Sequence, residues 1–256
     1  MTTTMKHTLL GLILIMTVQM ALAQPTLVLH YRHVPQENVD EFIKRETTYW
    51  QKIAQKAIDD GKLGFWGLYE KVSVYDAPNT SNYVFVNVMP DADAEGIWNP
   101  SEVFPDVSME DMETWSMSTV TSQIFASPME WVDGENAVPD DDYNYVVFNY
   151  FDPENAEDWL TMESEAFMPY ITEAMKNEGT SQCAWGHARI IAPLGGGMNA
   201  TTLSMDVFPS MQAALHPKSP VEMTEGTMQK IMAEWEKLKS PHHRVLYRVV
   251  AAASSE

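Results

Sequence analysis

The chain predicts an α+β fold in which one β-α-β-β-α-β unit occurs twice. Three observations predict it. Stretches of alternating apolar and polar residues, which read as strands, and stretches with apolar residues at helical spacing follow one another in the same order in both halves. A Trp-Gly pair stands in the second strand of each half, Trp66-Gly67 and Trp185-Gly186. The register repeats as well: Trp66 and Trp185 are 119 residues apart, as are Tyr31 and Tyr150, Asn87 and Asp206, and Pro90 and Pro209.

In chain order, residues 26–33 alternate as a strand that ends at Pro35. Residues 38–60 carry Phe42, Tyr49, Trp50, Ile53 and Ala57 on one helical stripe, and Gly61 stops the helix. Residues 65–75 and 83–89 read as strands around a turn at Ala77-Pro78-Asn79, the second closed by Pro90. Residues 108–124 read as a second helix, capped by Ser108 with Asp111 three residues on. A short edge strand is expected at 129–132, weakened by Pro128. The second half gives a strand at 145–151, a helix at 156–176 with Trp159, Phe167, Tyr170, Ile171 and Ala174 on one side, strands at 183–192 and 202–208, a helix at 224–238 and a strand at 245–250. Gly195-Gly196-Gly197 joins two strands and lacks the Lys-Ser/Thr of a phosphate loop, so it reads as a turn. Glu46 and Glu163 interrupt the apolar stripes of the first helices at matching places, 117 residues apart, and recurrence in both halves favours a scaffold role. This element order is that of the ferredoxin-like split unit.

Composition sets the surroundings. Lys6 and His7 precede an apolar run at 9–18 and the small-x-small site Ala21-Leu22-Ala23, the pattern of a secretory signal peptide cleaved after Ala23. The expected organisation is a signal peptide at 1–23, a first repeat at 24–132, an acidic linker at 133–142 and a second repeat at 143–256. The mature protein is expected to be exported, periplasmic or extracellular, and no later stretch is apolar enough to span a bilayer. A net charge of −20, from 36 acidic and 16 basic residues, repels phosphate backbones and excludes nucleic acid as a natural partner. Cys183 is the only cysteine, so no intramolecular disulfide forms.

Two such units with a Trp-Gly second strand resemble a fused dimeric α/β-barrel protein, of the superfamily of antibiotic-biosynthesis monooxygenases, EthD-like and NIPSNAP-like proteins. The resemblance spans the mature chain and implies two tandem ferredoxin-like units closing an intramolecular barrel, a monomer complete in itself. That superfamily includes heme enzymes, cofactor-free oxygenases, isomerases and cyclases, so the fold alone selects no reaction.

Strand alternation then proposes a site. Val84, Val86 and Val88, with Leu203, Met205 and Val207, are expected to face the helices. The opposite set is expected inside the barrel: Tyr83, Phe85 and Asn87, Thr202, Ser204 and Asp206, Trp66, Leu68 and Glu70, Trp185, His187 and Arg189, and His30 with Asn149. There Glu70 and Arg189, at equivalent places, are expected to answer each other. His187 and Arg189 are the candidate catalytic residues, as general base and oxyanion holder. Trp66, Glu70, Trp185, His30, Asn149, Asp206 and Tyr83 are the candidate ligand-binding residues. No metal site is expected, because His30, His33, His187 and His216 are scattered without ligand spacing. No cofactor is expected either. The functional expectation is a small-molecule-binding barrel, a cofactor-free oxygenase, isomerase or cyclase for an aromatic or hydrophobic compound. Its alternatives are a non-catalytic envelope scaffold and a heme protein ligated through His187.

Overall fold

The computed structural model describes residues 24–72, 80–134, 143–193 and 199–255. The expected signal peptide, most of the linker, the turn at 77–79 and the glycine run lie outside them. Among the described residues, eight strands close an antiparallel barrel. They are β1 (Thr26–His33), β2 (Phe65–Lys71), β3 (Tyr83–Met89), β4 (Thr119–Asp133), β5 (Tyr145–Phe151), β6 (Ala184–Ala192), β7 (Thr202–Phe208) and β8 (His243–Ser254). Around the barrel the order is β1-β3-β2-β8-β5-β7-β6-β4, so each half contributes its fourth, first, third and second strands side by side. The halves meet at two seams, β2 with β8 and β4 with β6.

The two long helices lie outside the barrel. Helix α1 runs as Val39–Arg45, a π-turn at Glu46–Trp50, and Gln51–Asp59. It buries Phe42, Ile53, Ala54, Ala57 and Ile58, and Gly61, at φ 73°, ends it in a conformation that costs glycine least. The helices α2 (Pro100–Val103) and α3 (Met109–Met112) are short. Helix α4 repeats the α1 design as Ala156–Met162, a π-turn at Glu163–Phe167, and Met168–Met175. The Asn155 side chain caps it by accepting from the Glu157 amide. Helices α5 (Met211–Leu215) and α6 (Glu225–Trp235) precede the last strand, and Thr224 caps α6. Each π-turn opens on the glutamate that broke the apolar stripe, and a π-turn redirects side chains by widening the helix locally.

Three expectations are corrected. The helix expected at 108–124 is confined to Met109–Met112, although Ser108 does cap it, and the chain is already in β4 by Thr119. Residues 119–126 switch to a period of two, with β-branched Thr119, Val120 and Thr121 followed by buried Ile124 and Ala126. Nor is this strand an edge: β4 pairs with β1 on one side and β6 on the other. Pro128 is tolerated there because the β4–β6 register shifts between Pro128 and Glu130, where a bulge needs no ladder donor.

The third correction exchanges the two faces of the sheet. The barrel interior holds the apolar set, with Leu27, Leu29, Val84, Val86, Phe148, Leu203, Met205 and Val207 in one cluster drawn from both halves. The polar and aromatic set points out toward the helices: Trp66, Leu68, Tyr83 and Phe85 pack in the cluster around α1, and Trp185 packs against Ile171 and Met175 of α4. An eight-stranded barrel is little wider than its side chains need, so its interior takes mostly the residues with least to lose from leaving water, and an open cavity at one end is lined by Tyr31, Tyr150 and Tyr247. Among the polar atoms there, the hydroxyls of Tyr31 and Tyr150 bond each other across the interior.

The Trp-Gly pairs follow from the same alternation. Each tryptophan faces the helix layer, and the glycine beside it faces inward under an aromatic ring. A Cβ on Gly67 would lie 2.8 Å from Cε1 of Tyr69, and one on Gly186 would lie 2.4 Å from Cε3 of Trp131.

Candidate functional site: two clefts between sheet and helices

Each half leaves a cleft between the outer face of its sheet and its helices. The clefts occupy matching places in the two halves and differ in chemistry.

The first-half cleft, about 550 Å³, has aromatic walls that include Trp50, Trp66, Phe85, Trp98, Trp115 and Phe125. Helix α1 contributes Glu46 through its π-turn, β1 contributes His30 and Arg32, and β3 contributes Asn87. Trp98 and Trp115, half exposed on the connection between β3 and β4, set their ring edges against Trp50 at centroid distances of 6.3 and 6.4 Å. Trp50 is fixed in turn by its indole N–H, which donates to the Met112 carbonyl at 2.8 Å.

The Glu46 side chain is buried, and burial pushes its carboxyl up to about 7. The Thr114 hydroxyl, which donates to Oε1 at 2.5 Å, and the Arg32 charge pull in the opposite direction without overcoming it. His30 is held below its ordinary value by burial and by the Arg32 cation, so its imidazole is neutral near pH 7. Two further atoms are unanswered among the described residues: Arg32 Nε and Asn87 Oδ1 are shut off from solvent without a hydrogen-bond partner. Together the cleft offers a proton-exchanging carboxyl, a buried cation, a neutral imidazole and flat apolar walls.

The second-half cleft, about 400 Å³, is lined by Trp159, Phe167 and Tyr170 and by the polar groups Asn149, Ser204, Asp206 and Glu163. Asp206 accepts from Asn149 Nδ2 at 2.7 Å and Gln182 Nε2 at 3.0 Å, and burial raises its carboxyl. The equivalent of Glu46, Glu163, receives Nδ1 of His187 at 2.9 Å. His187 Nε2 meets Glu130, which also accepts from the Ser164 hydroxyl at 2.8 Å. The Trp185 ring stacks on the imidazole at 5.0 Å. Burial pulls the imidazole down, but the bonds to Glu163 and Glu130 outweigh it and the net direction is up. Burial likewise raises Glu163 against the pull of His187. His187 is therefore a buried imidazole whose protonated form is favoured by a carboxyl group on either side, and the pair of contacts ties β6 and α4 to β4 across a seam.

Of the residues singled out from the sequence, His30 and Trp66 meet in the first cleft, and Asn149 and Asp206 in the second. Trp185 and His187 stand together in the clamp. Tyr83 packs on Phe42, and its hydroxyl donates to Glu70 at 3.4 Å. Glu70 does not answer Arg189. Its partner is Arg248, across the β2–β8 seam, with Nε at 3.0 Å. Arg189 pairs instead with Glu157 on the surface. The sequence pattern points to none of Arg32, Trp98 and Trp115; it places Asn87 in the polar set without a binding role and Trp50 on the apolar stripe of the first helix. It saw Glu46 but weighed its recurrence as scaffold, and the pairing partner separates the roles, since Glu163 meets a histidine where Glu46 has only Thr114 for a direct bond.

Heme ligation through His187 does not fit. Both ring nitrogens are bonded to carboxylates and one ring face is covered by Trp185, which leaves no nitrogen to hold iron. Among the described residues no group of His, Cys, Asp and Glu has the arrangement of a metal site, and no helix is long and apolar enough to cross a membrane.

No protein-family model matches the chain, and no curated protein matches its sequence. Solved structures do match its fold. An anthrone oxidase-like protein superposes with a TM-score of 0.53 at 13% identity, covering 90% of this chain and 92% of its own. A candidate monooxygenase from Lactobacillus acidophilus gives 0.56 at 14% identity, covering 90% and 96%. Another from Fusobacterium nucleatum gives 0.54 at 9% identity, covering 91% and 95%. These likenesses show the dimeric α/β-barrel fold.

Proposed function

We propose that the chain is an exported small-molecule-binding barrel, built of two fused ferredoxin-like units and complete as a monomer, whose working site is the first-half cleft. Its ligand is a planar aromatic compound, and its chemistry is proton transfer by Glu46. One observation carries the reading: a buried carboxyl held near neutrality points into an aromatic-walled cleft beside a cation that has no bonded partner. A carboxylate so placed takes a proton from a carbon next to a ring carbonyl. The electron pair of the broken C–H bond moves to the carbonyl oxygen, and the Arg32 guanidinium holds the enolate oxygen that forms. Such an enolate rearranges, cyclises or is oxidised by dioxygen without a bound cofactor, and oxidation is the course suggested by the names of the fold neighbours. The second half, its equivalent glutamate tied to His187, serves as scaffold.

The test is hydrogen exchange in D₂O. The protein should accelerate deuterium uptake at C1 of 2-tetralone, followed by NMR, and Glu46→Gln should slow the catalysed rate about 10²-fold or more. An unchanged rate in Glu46→Gln, with the fold intact by circular dichroism, would refute the assignment.

A further inference from the structure

We infer that the ligand of the first-half cleft is an aromatic carboxylate whose anionic group sits on Arg32. This rests on the reading of that cleft as the binding site and adds the chemical class of what enters. The chain has five arginines, and four have hydrogen-bond partners. Arg45 bonds Glu41 and two backbone carbonyls, Arg189 bonds Glu157, Arg244 bonds the Ala214 carbonyl, and Arg248 bonds Glu70. Arg32 alone has none among the described residues, although it is only 8% exposed. Its guanidinium lies 5.9 Å from the centre of the Phe85 ring, and the charges of Glu46 and Glu113 reach it only through space.

A buried guanidinium with open donors is costly unless acceptors complete it, and its planar fork matches a carboxylate through two parallel bonds, which leaves its remaining N–H donors for the enolate oxygen. The walls beyond it suit a flat ring system and the cavity has room for fused rings. Asn87 Oδ1, also unanswered, lines the same cleft and provides an acceptor for a hydroxyl on the far part of the ring system, since Arg32 stands opposite Tyr83 and Asn87 opposite Val28 on the paired strands. The titratable groups around Arg32 then set a pH dependence. His30 on the same strand is neutral, Glu113 lies on the connection to β4, and Glu46 on α1 becomes an anion as pH rises through about 7. Its ionisation repels an incoming carboxylate, so affinity for the anion falls over that range.

The experiment measures tryptophan-fluorescence titrations with 2-naphthoate, 2-naphthamide and 2-naphthol on the wild type, Arg32→Gln and Glu46→Gln. The expected result is that naphthoate binds about thirtyfold or more tighter than naphthamide, and that Arg32→Gln abolishes the difference. Equal affinities in the wild type, or a preference that survives Arg32→Gln, would overturn the carboxylate assignment and leave the cleft reading standing. Failure of all three probes to bind would overturn both. If Arg32→Gln does not fold, the wild type decides over about pH 5.5 to pH 8.5. Affinity for naphthoate should fall with rising pH there and lose that dependence in Glu46→Gln, and a flat wild-type profile would overturn the assignment.

Discussion

Replacing His187 by Ala should destabilise the protein by about 3–5 kcal/mol, because it strips a buried carboxylate of its counter-charge. The structure apportions the effect. Glu163 is 4% exposed and receives His187 Nδ1 at 2.9 Å, so it is left buried and uncompensated. The side chain of Glu130 is 35% exposed and keeps the Ser164 hydroxyl, so water takes over much of its loss. Trp185, stacked on the imidazole, gains a void on one face. The assay is urea denaturation followed by circular dichroism, with Glu130→Gln as a control expected to cost only about 1 kcal/mol. A loss below about 1 kcal/mol for His187→Ala would refute the clamp and return the histidine to the pool of free acid–base groups. The wild type adds a pH signature. The folded imidazole lies above its ordinary 6.5, so its contribution is fully present below that value and is lost as pH rises through the raised folded value.

Glu46 titrates in a different window. Its folded value, raised from 4.5 to about 7, means that stability is full below 4.5 and lost as pH rises through 7. Glu46→Gln, which cannot ionise, should therefore stabilise the protein on the alkaline side by roughly 3 kcal/mol at most and lose that advantage in acid, as read by thermal melts across pH. Arg189→Ala removes only a surface pair and should change stability by less than about 1 kcal/mol and aromatic binding not at all, as read by denaturation and fluorescence titration. Gly186→Ala places a methyl against Trp131 and the Glu130 carbonyl and should cost about 1–3 kcal/mol, with a shift in tryptophan emission. Ligand binding should quench Trp115, so Trp115→Phe should lose part of the fluorescence response while retaining binding.

The repeat was legible because strand alternation, helical stripes and the Trp-Gly pairs recur at nearly constant spacing, and these are local properties of the chain. Which face of each strand turns inward was not local. Alternation sorts residues into two sets, but only closure of the barrel decides that Val84 and Leu203 share an apolar interior while Trp66 and His30 meet the helices. The sequence showed a histidine at His187 where the first half has Leu68. It could not show that Glu130, from the far end of β4, comes to claim the imidazole, because that contact crosses a seam between halves. Residues 119–126 were misread for a related reason: the strand is held by partners on both sides, and its own pattern is diluted by the exposed residues at its start. Glu46 and Glu163 stand at matching places in the sequence and differ in their partners, Thr114 of the connection before β4 for Glu46 and His187 of β6 for Glu163.

The most direct test of the central claim is the titration of the Glu46 carboxyl itself, by isotope-edited infrared difference spectroscopy of the wild type against Glu46→Gln. The account predicts a midpoint near 7 in the free protein, moving upward when 2-naphthoate binds beside it. A midpoint at the ordinary glutamate value near 4.5, unmoved by the aromatic anion, would contradict it.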